Sequence, residues 1–115
     1  MRVCNETRGL TLSDHTEVAD RLFSRLKGLL GRKRLLPGQG LLITPCQSVH
    51  TFLMRFPIDV IYIDGKGKVC WIVEEMQPNR TAPLIRQSLA VLELPAGTVR
   101  NTGTAVGDSL AFINS

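Results

Sequence analysis

The stretch IDVIYIDGKGKVCWIV, Ile58 to Val73, constrains the fold more than any other part of the chain. Two apolar runs rich in β-branched and aromatic residues flank Asp64-Gly65-Lys66-Gly67, the pattern of a hairpin. With Gly65-Lys66 as the turn, Ile63 is expected opposite Lys68, Ile61 opposite Cys70 and Val60 opposite Trp71. Neither strand alternates cleanly between apolar and polar residues. Both faces of this sheet therefore need cover.

The rest of the chain after Pro37 keeps the same rhythm. Turn residues recur at Pro37-Gly38-Gln39-Gly40, Pro45, Pro57, Pro78-Asn79, Pro95-Ala96-Gly97, Gly103 and Gly107-Asp108. Short apolar runs lie between them: LLI, IDVIYI, VCWIV, LAVLEL and SLAFI. Such spacing reads as β-structure. Before Pro37, Leu10-Thr11-Leu12 reads as a short strand, and Asp14 with Glu17 has the form of a capping box. Val18, Leu22, Leu26 and Leu29 then share one helical face, which predicts a helix over residues 16–30. The expected class is α+β but mostly β. It is a bent antiparallel sheet or partial barrel with one main helix, in a single domain of residues 1–115.

Composition bears on partners and compartment. The net charge of +4 is carried by residues 1–34, which hold eight Lys or Arg against four acids; the remainder is balanced. Attraction to an anionic partner is thus expected from the first third. No apolar run approaches the ~18 residues of a membrane span, and the N-terminus shows no secretory pattern. Three cysteines without short-range pairing make a disulfide framework unexpected. A cytoplasmic protein with reduced thiols, off the membrane, is the expectation.

Chemistry-bearing residues concentrate in CQSVHTFLM, where Cys46, His50 and Met54 recur every four residues. Thiolate, imidazole and thioether are soft-metal ligands, and His15 offers a second imidazole. A Cys-x3-His pair falls short of the four ligands of a structural zinc site, so no metal is expected. Cys46 with His50 as nucleophile and base is the enzymatic alternative, although such pairs usually come from distant parts of a chain. Asp59 interrupts an apolar strand; buried and unpaired it would cost several kcal/mol, so it needs donors. His50, Thr51, Arg55 and Arg80 are the donors available nearby. Arg21, Arg25 and Arg32, followed by Lys33 and Arg34, form a basic stripe over residues 17–34 that suits phosphates. It lacks the interleaved aromatics of a single-strand binder. No phosphate loop, nucleophile elbow or His-Glu-x-x-His motif is present.

Arg25 with Gly28-Leu29-Leu30-Gly31-Arg32, then Gly40-Leu41-Leu42-Ile43, then Cys46, His50-Thr51 and Met54-Arg55-Phe56-Pro57-Ile58-Asp59-Val60 form an ordered series. Val91-Leu92-Glu93-Leu94-Pro95-Ala96-Gly97 and Gly107-Asp108 close it. The series, from about Arg21 to Phe112, resembles the prokaryotic family catalogued as domain of unknown function 192. Many relatives have Met in place of Leu30. Some carry a Trp-Met-Lys-Asn-Thr type of segment in place of the Cys/His version. The resemblance implies a compact, largely β domain with one helix. It also implies that Cys46 and His50 are not universal catalysts or ligands, and it brings no established activity.

The functional expectation is a small cytoplasmic binding or accessory domain with a cleft near residues 46–59. Cys46, His50, Thr51, Met54, Asp59 and Arg80 would line that cleft for an unidentified small molecule or protein. Two alternatives stand beside it: a small enzyme or metal protein using Cys46 and His50, and nucleic-acid binding through Arg21, Arg25, Arg32, Lys33 and Arg34. The sequence names no cofactor.

Overall fold

The computed structural model of the chain describes residues 1–21, 32 and 34–114. Eight strands form two sheets. A three-stranded sheet has the order β2 (Leu10–Ser13), β1 (Arg2–Asn5), β8 (Leu110–Ile113). A five-stranded sheet has the order β3 (His15–Ala19), β4 (Gln39–Ile43), β7 (Ser88–Pro95), β5 (Ile58–Asp64), β6 (Val69–Met76). All pairings are antiparallel except β3 with β4. The sheets do not close into a barrel, and among the described residues the one helix is the short α1 (Thr98–Thr102). The five apolar runs after Pro37 all became strands, as their rhythm predicts.

The central strands β5 and β7 are buried on both faces, as the absence of alternation requires. Ile58, Val60, Tyr62 and Val91 face one core with Leu41, Ile43, Met54 and Ala82. Ile61, Ile63, Ala90, Leu92 and Leu94 face the other, against Val3, Leu12 and Leu110 of the three-stranded sheet and Val99 of α1. The sheets approach closely at Gly40, where a Cβ would lie 3.0 Å from the Ser13 hydroxyl and 3.1 Å from the Leu94 side chain. Glycine is required there for contact rather than for backbone freedom.

Two local expectations are corrected. His15–Ala19 is not the first turn of a helix: it pairs in parallel with Gln39–Ile43, and the Asp14 and His15 amides both donate to the Gly38 carbonyl, at 3.0 and 2.9 Å. Strand pairing thereby uses the amides that a capping box would have satisfied. The remainder of the predicted 16–30 helix lies largely outside the described residues. In the hairpin, Ile63 faces Val69 and Val60 faces Val73, not Lys68 and Trp71. The turn is where the glycines place it, with the Gly67 amide donating to the Asp64 carbonyl at 3.1 Å. Gly67, at φ 81°, adds a bulge residue, and a second irregularity follows between Tyr62 and Ile63. The Asp64 carboxylate accepts from the Lys66 and Lys68 amides, and these bonds hold its pKa below the ordinary value.

Buried polar groups staple the ends of the chain together. Asn5 on β1 donates to Asp108 at 2.9 Å and to Thr104 at 3.1 Å. Arg8 Nε and the Ala105 amide each reach the same Asp108 oxygen at 2.9 Å.

Candidate functional site

Residues 46–54 and 77–89 lie beside each other as a loop layer over the core that contains Met54. Main-chain bonds fix their alignment: Cys46 N to Leu89 O at 2.8 Å, Ile85 N to Gln47 O at 2.9 Å, Ala82 N to Val49 O at 3.0 Å, and Thr51 N to Arg80 O at 2.9 Å. Thr51, fully buried, is the clasp. Its hydroxyl donates to the Gln77 carbonyl at 2.6 Å and accepts from the Arg80 amide at 2.9 Å. Beneath the layer the Tyr62 hydroxyl donates to the Pro83 carbonyl at 2.7 Å. Burial, aided by the nearby Cys46 and Cys70 thiols, pushes its pKa up to about 12, so it remains a neutral donor.

The layer ends in a tight turn, closed by the Met54 amide donating to the Thr51 carbonyl at 3.1 Å. Phe52 and Leu53 occupy its corners. Leu53 has φ 63°, a left-handed conformation that costs a side-chain-bearing residue about 1 kcal/mol or more. The Asn79 side chain, itself on a residue with φ 61°, holds it there by accepting from the Leu53 amide at 3.0 Å. The His50 and Phe52 rings stack with centroids 5.1 Å apart, and His50 Nδ1 accepts from the Phe52 amide at 3.3 Å. Nevertheless Phe52 is 47% exposed and Leu53 80% exposed. The turn is thus a braced apolar knuckle presented to solvent.

The six residues expected in one cleft take three different places. Met54 is buried and Cys46 packs half-buried against the same core, its thiol donating to the Ser48 carbonyl at 3.1 Å. His50 and Arg80 are exposed at the knuckle, with Thr51 locked between their strands. Asp59 is apart from them. It alternates with Val60 and lies on the other face of β5, where it accepts from the Glu75 and Val99 amides at 2.8 Å each. Cys46 and His50 do not hydrogen-bond to each other; each bonds its own neighbouring main chain. No three His, Cys, Asp or Glu side chains converge as metal ligands among the described residues.

Of the basic stripe, Arg21 and Arg34 are exposed, while Arg25 and Lys33 lie outside the described residues. Arg32 is paired with Glu17 and borders a cavity of about 270 Å³ beside β3.

Three residues absent from the expected site emerge from the structure. Glu93 is buried in β7 on the Val91 face; burial raises its pKa to about 7 against the opposing charge of Arg32. The signal for it was the same as for Asp59, a lone acid in an apolar strand. Phe52 and Leu53 gave none, because a left-handed leucine has no mark in sequence.

The profile of domain of unknown function 192, described as "Uncharacterized ACR", matches residues 3–112. A UPF0127 protein of Thermococcus gammatolerans is 26% identical, aligned over 96% of this chain and 74% of its own. A UPF0127 protein of Pyrococcus abyssi is 28% identical over 96% of this chain and 97% of its own. Among crystal structures, a protein of unknown function from Novosphingobium aromaticivorans superposes with a TM-score of 0.81 at 22% identity, covering 96% of this chain and 82% of that one. A Sinorhizobium meliloti protein described as a candidate transcription regulator gives 0.79 at 28% identity, covering 96% and 89%. With nearly its whole length matched, the chain belongs to the domain of unknown function 192 family.

Proposed function

We propose that the protein is a cytoplasmic binding module that docks a partner protein through the Phe52–Leu53 knuckle. The observation that carries this reading is Leu53 itself: an 80%-exposed leucine held at φ 63° by Asn79. The fold gains nothing from an apolar side chain at a position where glycine is less strained. Strain kept at a braced, exposed site is a mark of recognition surfaces.

Shape and charge define the partner. A convex tip does not enclose a small molecule, which takes a concave pocket. It fits an apolar recess on another protein, in the way buried aromatic and aliphatic anchors do. Residues 44–58 and 76–92 contain no Asp or Glu, while Arg55, Arg80 and Arg86 are exposed there. The recess is therefore rimmed by acidic groups. No helix among the described residues is long and apolar enough to cross a membrane, and the three cysteines are free thiols, which supports a reducing compartment without a membrane partner.

The test is chemical cross-linking of the wild type and of the Phe52→Ser/Leu53→Ser variant in cell extract. An acidic protein retained by the wild type and lost by an equally stable variant is expected, with a loss of about 2 kcal/mol or more in the purified pair. Identical capture by both overturns the reading. Leu53→Gly is the sharper control: it should raise thermal stability by about 1 kcal/mol while abolishing capture.

A further inference from the structure

A second feature lies away from the knuckle and is independent of it. The cavity of about 270 Å³ beside the edge strand β3 is lined by Met1, His15, Thr16, Glu17, Arg32, Gln39 and Gly40. We infer that this cavity is a binding site for a small oxyanion, a carboxylate or a phosphate, held on the Arg32 guanidinium with Glu17 as its displaceable stand-in.

The lining is rich in donors. Gln39 accepts from the Leu36 amide through Oε1 at 2.9 Å, which fixes the side chain and leaves Nε2 to donate. The exposed His15 imidazole adds a second donor from β3. Arg32 brings the planar fork that matches carboxylate and phosphate oxygens. Against these stands one carboxylate on the lining, Glu17, and it is already paired with Arg32.

That pair is weakly held. The Glu17 side chain is 64% exposed, and an ion pair so open to solvent is worth about 1 kcal/mol or less. An incoming oxyanion that also reaches Gln39 and His15 makes more bonds to the same group of donors than Glu17 does. The neighbouring acid in the sheet does not take over the guanidinium. Glu93 shares a row with Leu41 and Glu17 across β7, β4 and β3, about 10 Å from Glu17 at two strand spacings. It is buried among apolar residues and largely retains its proton until neutral pH. A cavity of this volume suits a metabolite-sized ligand.

The experiment is isothermal titration of the full chain with inorganic phosphate and, separately, with succinate. Saturable binding of either at millimolar or lower concentration is expected; which one binds tells a phosphoryl ligand from a carboxylate ligand. Arg32→Gln should weaken that binding about tenfold or more. Glu17→Gln should strengthen it about two- to fivefold, the equilibrium equivalent of the exposed pair it removes. A merely structural Glu17 would move the affinity the other way or not at all. The inference is overturned if neither probe binds the wild type or Glu17→Gln, or if Arg32→Gln binds as well as the wild type. Phe52→Ser/Leu53→Ser should leave phosphate and succinate binding unchanged, so this result and the docking result stand or fall separately.

Discussion

Asp108 and Glu93 are both buried carboxylates in a small β protein, and the fold treats them in opposite ways. Asp108 is met by Asn5, Arg8 and the Ala105 amide. The Arg8 hydrogen bond above all, with those from Asn5 and Ala105, outweighs burial and lowers its pKa to about 2. Glu93 sits between Leu41 and Val60 on neighbouring strands, and burial raises its pKa to about 7. Depth alone therefore does not decide whether a buried acid is charged. The supply of donors does.

The comparison breaks most visibly at Asp108. Asp108→Ala leaves an Asn5 amide, an Arg8 guanidinium and a main-chain N–H facing each other without an acceptor. A loss of about 4 kcal/mol is expected, read as a shift in the urea midpoint. The effect depends on pH with a definite sign. Because the folded pKa of about 2 lies below the ordinary 3.8, the contribution of Asp108 is complete above about pH 4 and is lost as pH falls toward 2. The variant and the wild type should thus converge in acid. Unchanged stability at pH 7 would mean that the network is replaceable by water.

Glu93 should show the mirror image. Its folded pKa of about 7 exceeds the ordinary 4.5, so folding takes up a proton between these values. The associated stability is present below about pH 4.5 and is lost as pH rises through 7. Glu93→Gln removes the titration. It should be more stable than the wild type by up to about 3 kcal/mol at pH 8 and close to it at pH 5, by thermal melts at both values. An equal shift at both pH values would place the effect in packing rather than in charge.

The sequence made one of these carboxylates visible and passed over the other, although the signal was alike. Apolar runs and turn residues marked most of the strands because burial on both faces and tight connections have direct residue requirements. The hairpin turn was legible for the same reason; its register was not, since Gly67 at positive φ adds a bulge that composition does not record. The edge strand His15–Ala19 was hidden by a better local alternative, because a capping box can be read within four residues whereas its pairing with Gln39–Ile43 is a tertiary event. The site divided similarly. Thr51 and Asp59 were marked by polar chemistry in apolar surroundings, but which side of the sheet each faces was not. Leu53 was unreadable, because the Asn79 contact that holds it comes from a distant turn.

Asp59 offers the finest test of the comparison, because it lies between the two extremes. It is fully buried like them, but its partners are two main-chain amides, Glu75 at 2.8 Å and Val99 at 2.8 Å, with no cation. Those bonds tie β6 and the start of α1 to β5 on the face away from the knuckle. Asp59→Asn keeps the shape but places an NH2 group against one of the two amides, so one donor loses its acceptor. A destabilisation of about 2 kcal/mol is expected, smaller than at Asp108 because no guanidinium is left behind. Binding at the knuckle should be unaffected while the variant remains folded, since Phe52 and Leu53 are braced by His50 and Asn79 instead. If Asp59→Asn melts like the wild type but loses the partner, the carboxylate belongs to recognition and the clamp assignment is wrong. If stability falls and binding holds, donor supply is what fixes the role of all three buried acids.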